Sequence, residues 1–480
     1  MPGLKNGSET FSKRRRKCLH IYQDNLNHTI RKYQEQALRH FIYTQSSDMA
    51  DVAFNHQLFH MATGSGKTLV LAASILYLYK EHGHQNFLFF ADSDAIVKKT
   101  RDNLMNIASP KYLFKPEGIV IEGENVHIQM VDMFPYHPAP HTIYLKVTSI
   151  QKLHGDLTEP KENGLTYETL EDMKFVMLAD EAHHYFAETR RNQRRITKQE
   201  AETRSWERTI EKLLSLNTKN RLLGFSATFN LDNELLFGKL QDRIVYQYDL
   251  KRFMESGYSK NVVLLQANED DKQKMLHAVL LSQYRKYVAK DHGIDLKPII
   301  LFKSNTIAKS LETNRVFTDM IENITIGQLQ ETINKGLNVY GETKSVWGKM
   351  YNYYKDKELA IVIRDLQWEF TNETILNAND SKFNDSKFLS EENTLLLNTL
   401  EESENPIRTI FAVAKLNEGW DVLNLYDIVR ISEGASGTRT TTDSEAQLIG
   451  RGARYYPFIH NREKSYQRRF DTADSDLKVI

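Results

Sequence analysis

The stretch "HMATGSGKTLVLAASILYLY", residues 60–79, decides how the rest of the chain is read. It leaves an apolar run, passes through two glycines, a lysine and a threonine, and continues as an apolar helical segment. That is the layout of a phosphate cradle, in which successive backbone N–H groups and a helix N-terminus point at an anion. The pattern G-x-x-x-x-G-K-[ST] asks for glycine at position 61, where the chain has Met61. The departure falls where the strand exits, and the run from Thr63 to Thr68 keeps the working part. Gly64 and Gly66 let the backbone approach phosphate without a Cβ, with Ser65 between them. Lys67 supplies a point charge for the β/γ-phosphates, and the Thr68 hydroxyl is a ligand for Mg²⁺.

A second string, "KFVMLADEAHHY" (residues 174–185), completes a nucleotide site. A buried apolar strand ending in two carboxylates delivers both to the tip of a parallel sheet, where phosphates bind. Asp180 is expected to hold Mg²⁺ and Glu181 to orient and deprotonate a water. His183 and His184 are adjacent and cannot share a helix face as a metal pair. His183 is assigned a coupling role between domains and His184 an ordinary solvent or core position. Ahead of the loop, Tyr33 and Gln34 of "IRKYQEQAL" offer an aromatic face and an amide suited to an adenine ring and its edge.

Composition sets the bounds. A chain of 480 residues, 40% hydrophobic and 26% charged, is long enough for two or three domains with real cores. Lys+Arg and Asp+Glu both number 63, so bulk charge does not advertise nucleic acid, and local basic stripes would have to carry that contact. The single cysteine, Cys18, excludes an internal disulfide framework and a cysteine zinc cluster, which suits a reducing cytosol. The longest apolar run, Leu69 to Tyr79, is too short to span a bilayer. "KRRRK" at residues 13–17 has no apolar core behind it and is not a secretory signal. The expectation is a soluble cytoplasmic protein.

Short apolar runs alternate with helical stretches, the pattern of α/β units around parallel sheets. The first set is "QLFHMA", "NFLFFAD", "TIYLKVTS", "KFVMLAD" and "RLLGFSAT"; "IVYQYDLKRFMESGYSK" reads as a transition. "NVVLLQ" is expected to open a second set, followed by "PIILFKS", "IRTIFAVAK" and "YDIVRISE". Two domains, residues 1–250 and 251–480, are expected, with a polar, helix-rich insertion over about 305–405 in the second. The terminal "LKVI" reads as an opening strand with nothing after it, which suggests a truncated chain.

In order, "YQ", "ATGSGKT", "DEAH", "GFSAT", "LNEGWD" and "QLIGRGAR" resemble the superfamily 2 helicases and translocases over nearly the whole chain. "LNEGWDV" and "IGRGAR", with "SWERTIEKLL" before "LLGFSAT", are most similar to the restriction (Res) subunits of type III restriction–modification systems. The resemblance implies two tandem RecA-like domains, with ATP and Mg²⁺ between them and double-stranded DNA as partner. It implies that Arg451 and Arg454 act as arginine fingers, a contribution of roughly 10³ to 10⁵ in rate. Gly419, Asp421 and Gln447 would organise that wall, and Ser226 and Thr228 would couple ATP to nucleic acid. Phosphate contacts would come from Ser93, Thr148, Ser149 and Gln151, and from Lys303 and Ser304 in the second domain. The family's apolar Pro-Thr form of the first contact segment is here "FADSDAIV", which sets Asp92 and Asp94 where phosphate would come. "ETRRNQRRITKQ" and "KRRRK" are either backbone-tracking segments or solvated surface.

The resemblance also implies a methyltransferase (Mod) subunit as partner and a PD-ExK nuclease in a further C-terminal region. The triplet Glu342-Thr343-Lys344 lies in the polar insertion without a strand around it and reads as surface. The leading expectation is an ATP-dependent DNA motor. Another superfamily 2 motor in repair, phage defence or RNA metabolism is the first alternative, since the motifs do not separate DNA from RNA. A truncated remnant that binds nucleotide and nucleic acid without productive work is the second.

Overall fold

The computed structural model describes residues 21, 24–45, 55–159, 164–186, 198–229, 234–263, 269–379, 391–413, 422–431, 448–468 and 476–480. Its contacts divide the chain into two compact units, Met1–Leu250 and Lys251–Ile480. Each is an α/β unit built on a mainly parallel sheet.

The first sheet contains β1 (His56–Met61), β2 (Asn86–Ala91), β3 (Ile119–Ile121), β4 (Glu124–Met130), β5 (Thr142–Ser149), β6 (Phe175–Ala179), β7 (Arg221–Ser226) and β8 (Ile244–Tyr248). Their spatial order is β3-β4-β5-β2-β6-β7-β1-β8, and only the β3–β4 hairpin is antiparallel. β2 and β6 are buried at every position, as strands covered on both faces must be. Helix α1 (Lys32–Thr44) precedes β1, and helix α2 (Lys67–His82) follows it. All residues of α2 from Leu69 to Leu78 are buried, because a helix that is apolar all round finds its place inside. The five strands read from the first half of the sequence are all present. The segment read as a transition adds β8, which pairs with β1, and the sequence reading passed over β3 and β4.

The second unit has β9 (Ile299–Lys303), β10 (Ile375–Asn377), β11 (Thr409–Ala412) and β12 (Leu425–Arg430) in the parallel order β10-β11-β9-β12. Residues 261–263 of "NVVLLQ" are not a strand, and 264–268 lie outside the described residues. An apolar run is not enough for a strand here; the first strand of this sheet is β9, buried between β11 and β12. The region after β9 is helical, with Ile307–Glu322, Ile326–Tyr340, Val346–Lys355 and Leu359–Glu369 in succession. Thr325 and Ser345 cap two of them through the backbone N–H groups of Gln328 and Gly348. Glu342, Thr343 and Lys344 form an exposed turn between helices, as their polarity suggested.

"LKVI" is not a strand. Asp476–Val479 is a 3₁₀ turn, because Leu477 is buried in the core of this unit and the Val479 carbonyl accepts from Arg285 Nε at 3.0 Å. Among the described residues no helix is long and apolar enough to cross a membrane.

Gly224 in the middle of β7 allows a close approach. A Cβ there would lie 2.6 Å from Leu58 Cδ2 and 3.0 Å from Ala182 Cβ, so the turn that follows β6 packs directly on the strand backbone. Gly224→Ala should cost about 1–3 kcal/mol through overpacking. Urea unfolding of the two proteins checks this, and an unchanged midpoint would mean that the contact is looser than described.

Candidate functional site

Five neighbouring parallel strands, in the order β5-β2-β6-β7-β1, end on the same edge of the first sheet. The candidate residues of the first unit occupy those ends. β1 runs into the glycine loop, β7 ends at Ser226, β6 leads into Asp180 and Glu181, β2 into Asp92 and Ser93, and β5 ends at Ser149. Pairing of His60 with Ser226 and of Ala179 with Gly224 sets the loop, the "SAT" string and the carboxylates side by side.

The loop is held by its own backbone. Ala62 N donates to Tyr248 O at 2.7 Å, and both Ser65 N and Ser65 Oγ donate to Ala62 O, at 3.1 and 2.7 Å. Met61 is fully buried, so position 61 serves the core and no glycine is needed there. Gly66 has φ 77° and caps α2, and a Cβ on it would run into Gln34 Nε2. Glycine is the residue that satisfies both conditions. No side chain caps this helix end, so the first-turn N–H groups and the positive end of the helix dipole suit an anionic group. Thr63, Lys67 and Thr68 are half-buried beside it.

Tyr33 and Gln34 brace this loop from behind. Tyr33 Oη donates to Ser65 O at 2.9 Å and Gln34 Nε2 to the same oxygen at 2.8 Å, while Gln34 Oε1 accepts from Arg31 N at 2.9 Å. The Tyr33 ring stacks on Tyr248 with centroids 4.3 Å apart. Tyr33 and Gln34 therefore brace the loop, and their adenine-facing role stands as a proposal. Both ends of the Gln34 amide are engaged by the chain, and both residues are buried.

Lys67 Nζ lies 3.9 Å from Glu181 Oε1 and 3.5 Å from Met61 O. Asp180 Oδ1 accepts from Glu181 N at 3.0 Å, and Glu181 itself sits in the left-handed region at φ 45°. A non-glycine residue held there stores strain where two carboxylates are turned to one place. Burial, then the neighbouring Glu181 charge, raises the Asp180 pKa to about 6 against the opposing pull of Lys67.

Beyond the carboxylates, His183 Nδ1 is 2.8 Å from Ser226 Oγ, which accepts from Thr228 N at 3.1 Å. His60 Nε2 donates to Ala227 O at 3.0 Å, tying the strand before the loop to the same turn. His184, read as an ordinary histidine, lies 3.3 Å from Asp92 Oδ2. That pairing explains an acidic residue at this strand end, and Asp94 stands in the first turn of the helix Asp94–Met105, where the dipole favours it. Ser93 caps that helix by accepting from Ile96 N, and Gln151 Nε2 donates to Asp92 O at 2.8 Å. Thr148 is buried with its hydroxyl directed to Ser149 O, and Ser149 is half-buried.

In the second unit Ser304 is likewise buried, and Lys303 is half-buried. Arg451 is buried and Arg454 half-buried, on the segment 448–454 that begins as a helical turn. Gly419, Asp421 and Gln447 lie outside the described residues, as do "KRRRK" and residues 188–197 of the basic stretch. His60 and Tyr248 escaped the sequence reading, which named His184 and Asp92 without their pairing.

The raised Asp180 pKa has a measurable consequence. The unfolded chain ionises this group near the ordinary value of 3.8, whereas the folded protein holds the proton up to about 6. Stability associated with Asp180 is therefore present in full at low pH and is lost as pH rises through that window. Asp180→Asn should flatten this loss and make the nucleotide-free protein more stable at neutral pH. Urea titrations at several pH values check it, and parallel pH profiles for the two proteins would overturn it.

The family model described as type III restriction enzyme, res subunit, matches residues 27–231, and one described as the HI_1054_N N-terminal region matches residues 441–480. The probable type III restriction-modification enzyme HindVIP Res subunit of Haemophilus influenzae is 36% identical, over 86% of this chain and 85% of that protein. Similar solved structures include S. cerevisiae Dbp5 bound to RNA and ADP BeF3, at 14% identity and TM-score 0.44, covering 91% of this chain and 82% of that one. The DUF1998 helicase MrfA bound to DNA has 13% identity and TM-score 0.49, covering 94% of this chain and 50% of that one. On the strength of the Haemophilus relative, the chain belongs to the Res-subunit family of type III restriction–modification enzymes.

Proposed function

We propose that this chain is the ATP-hydrolysing, DNA-responsive motor of a type III restriction enzyme, working with a methyltransferase (Mod) subunit on double-stranded DNA. Family membership supports a helicase-type ATPase motor, and the finer reading rests on the site. The observation that carries it is the approach of Lys67 to Glu181 beside Asp180, at the uncapped N-terminus of α2.

In this reading the N–H groups after Gly66 and the Lys67 ammonium bind the β/γ-phosphates. Thr68 and Asp180 would hold Mg²⁺, which neutralises charge across the phosphates when bound. Lys67 orients Glu181 across 3.9 Å, and Glu181 takes the proton of the attacking water. Ser65, Tyr33 and Gln34 hold the loop in shape. Arg451 and Arg454 supply positive charge to the γ-phosphate, with Gly419, Asp421 and Gln447 assigned to the same wall. The contact of His183 with Ser226 links the carboxylates to the strand end carrying Thr228. Ser93, Thr148, Ser149, Gln151, Lys303 and Ser304 are the proposed contacts to the DNA backbone.

ATP turnover measured with and without duplex DNA or RNA tests this. Duplex DNA should stimulate hydrolysis. Glu181→Gln should lower kcat by about 10² to 10⁴ while nucleotide still binds, and Arg451→Ala should lower it by about 10³ or more. Unchanged turnover in Glu181→Gln would remove the general base from that position. A folding loss in Arg451→Ala would make that arginine structural.

A further inference from the structure

Lys260 lies nine residues beyond Lys251, at the start of the second unit, and is only 8% exposed. Its Nζ donates to Leu423 O at 2.7 Å, Leu425 O at 2.9 Å and Gly452 O at 3.1 Å. Carbonyl oxygens only accept. Three such bonds need three N–H donors, which an ammonium has and a neutral amine lacks. Burial, then the nearby Arg285 charge, pulls the Lys260 pKa well below the ordinary lysine value; the three carbonyls and the Tyr426 ring face, 3.9 Å from Nζ, act against that shift. Among the described residues no carboxylate pairs with it, since neighbouring Asp427 is paired with Arg285.

Gly452 lies between Arg451 and Arg454, so this ammonium pins the backbone that carries both. The same segment is held once more, by an antiparallel bridge between Ser259 and Arg454 in which Lys260 N donates to Ala453 O at 2.6 Å. Arg468 fastens the other side of the strap, donating to the carbonyls of Met254, Gly257 and Ser259 at 2.9, 2.7 and 3.1 Å.

We infer that Lys260 is a positioning residue, which fixes the orientation of Arg451 and Arg454 through the Gly452 carbonyl. This rests on the reading of those arginines as groups that act on ATP. The methyl thioether of Lys260→Met fills the same space without the three donors. It should lower DNA-stimulated kcat at least tenfold while the KM for ATP stays within twofold.

A double-mutant cycle separates positioning from general support. On the Arg451→Ala background, Lys260→Met should cost less than twofold more, because the group it orients is gone. Full multiplicative losses, or a kcat for Lys260→Met within twofold of the unaltered protein, would overturn the inference. No turnover in the unaltered protein, or no effect of Arg451→Ala, would instead overturn the functional reading and this inference with it. Should Lys260→Met fail to fold, Tyr426→Leu compared with Tyr426→Phe carries the test. Loss of the ring should lower kcat and loss of the hydroxyl should not, and equal kcat values would overturn the inference.

Discussion

The backbone hydrogen bonds that pair β7 with β1 on one side and β6 on the other set the geometry of the first unit. A parallel ladder fixes both the neighbours of a strand and the level at which each strand ends. The phosphate loop and the two carboxylates are separated by more than a hundred residues, and β7 is the spacer that holds them one strand apart. A slip of one residue in either ladder would turn alternate side chains to the other face. Gly224 keeps the turn after β6 close to β7, and His60 and His183 fasten the strand ends to residues 226 and 227.

Such an edge concentrates charge in a place with little water. Two adjacent half-buried carboxylates are held together by the nearby Lys67 and Lys99 ammonium groups and by backbone N–H donation. This is unfavourable for the folded state alone, as the raised Asp180 pKa and the left-handed Glu181 backbone both express. Sites arranged in this way are poised for a polyvalent ligand that relieves the repulsion. The rigidity comes from the second layer, in which Tyr33, Gln34 and Tyr248 support the loop from below.

The second unit solves a related problem with a smaller sheet. A segment carrying two arginines is held by backbone contacts although it begins as no more than a helical turn. Carbonyl oxygens gathered around the Lys260 ammonium, with the Tyr426 ring beneath, provide a fixed point that does not depend on a carboxylate partner.

The sequence by itself determined the alternation of buried strands with helices, the phosphate loop, the paired carboxylates and the motifs that resemble the Res subunits. Those are local patterns, in which a few consecutive residues carry the chemistry and the periodicity carries the element. It misjudged residues 261–263 and "LKVI", since apolar runs that short fit strands, turns and buried loops equally well. Only the tertiary structure decided that Gln34 braces Ser65, that His184 meets Asp92, and that Lys260 reaches residues 423 to 452. Each of these joins groups far apart in the chain. Their meeting depends on strand order and on packing, which no short window of sequence contains.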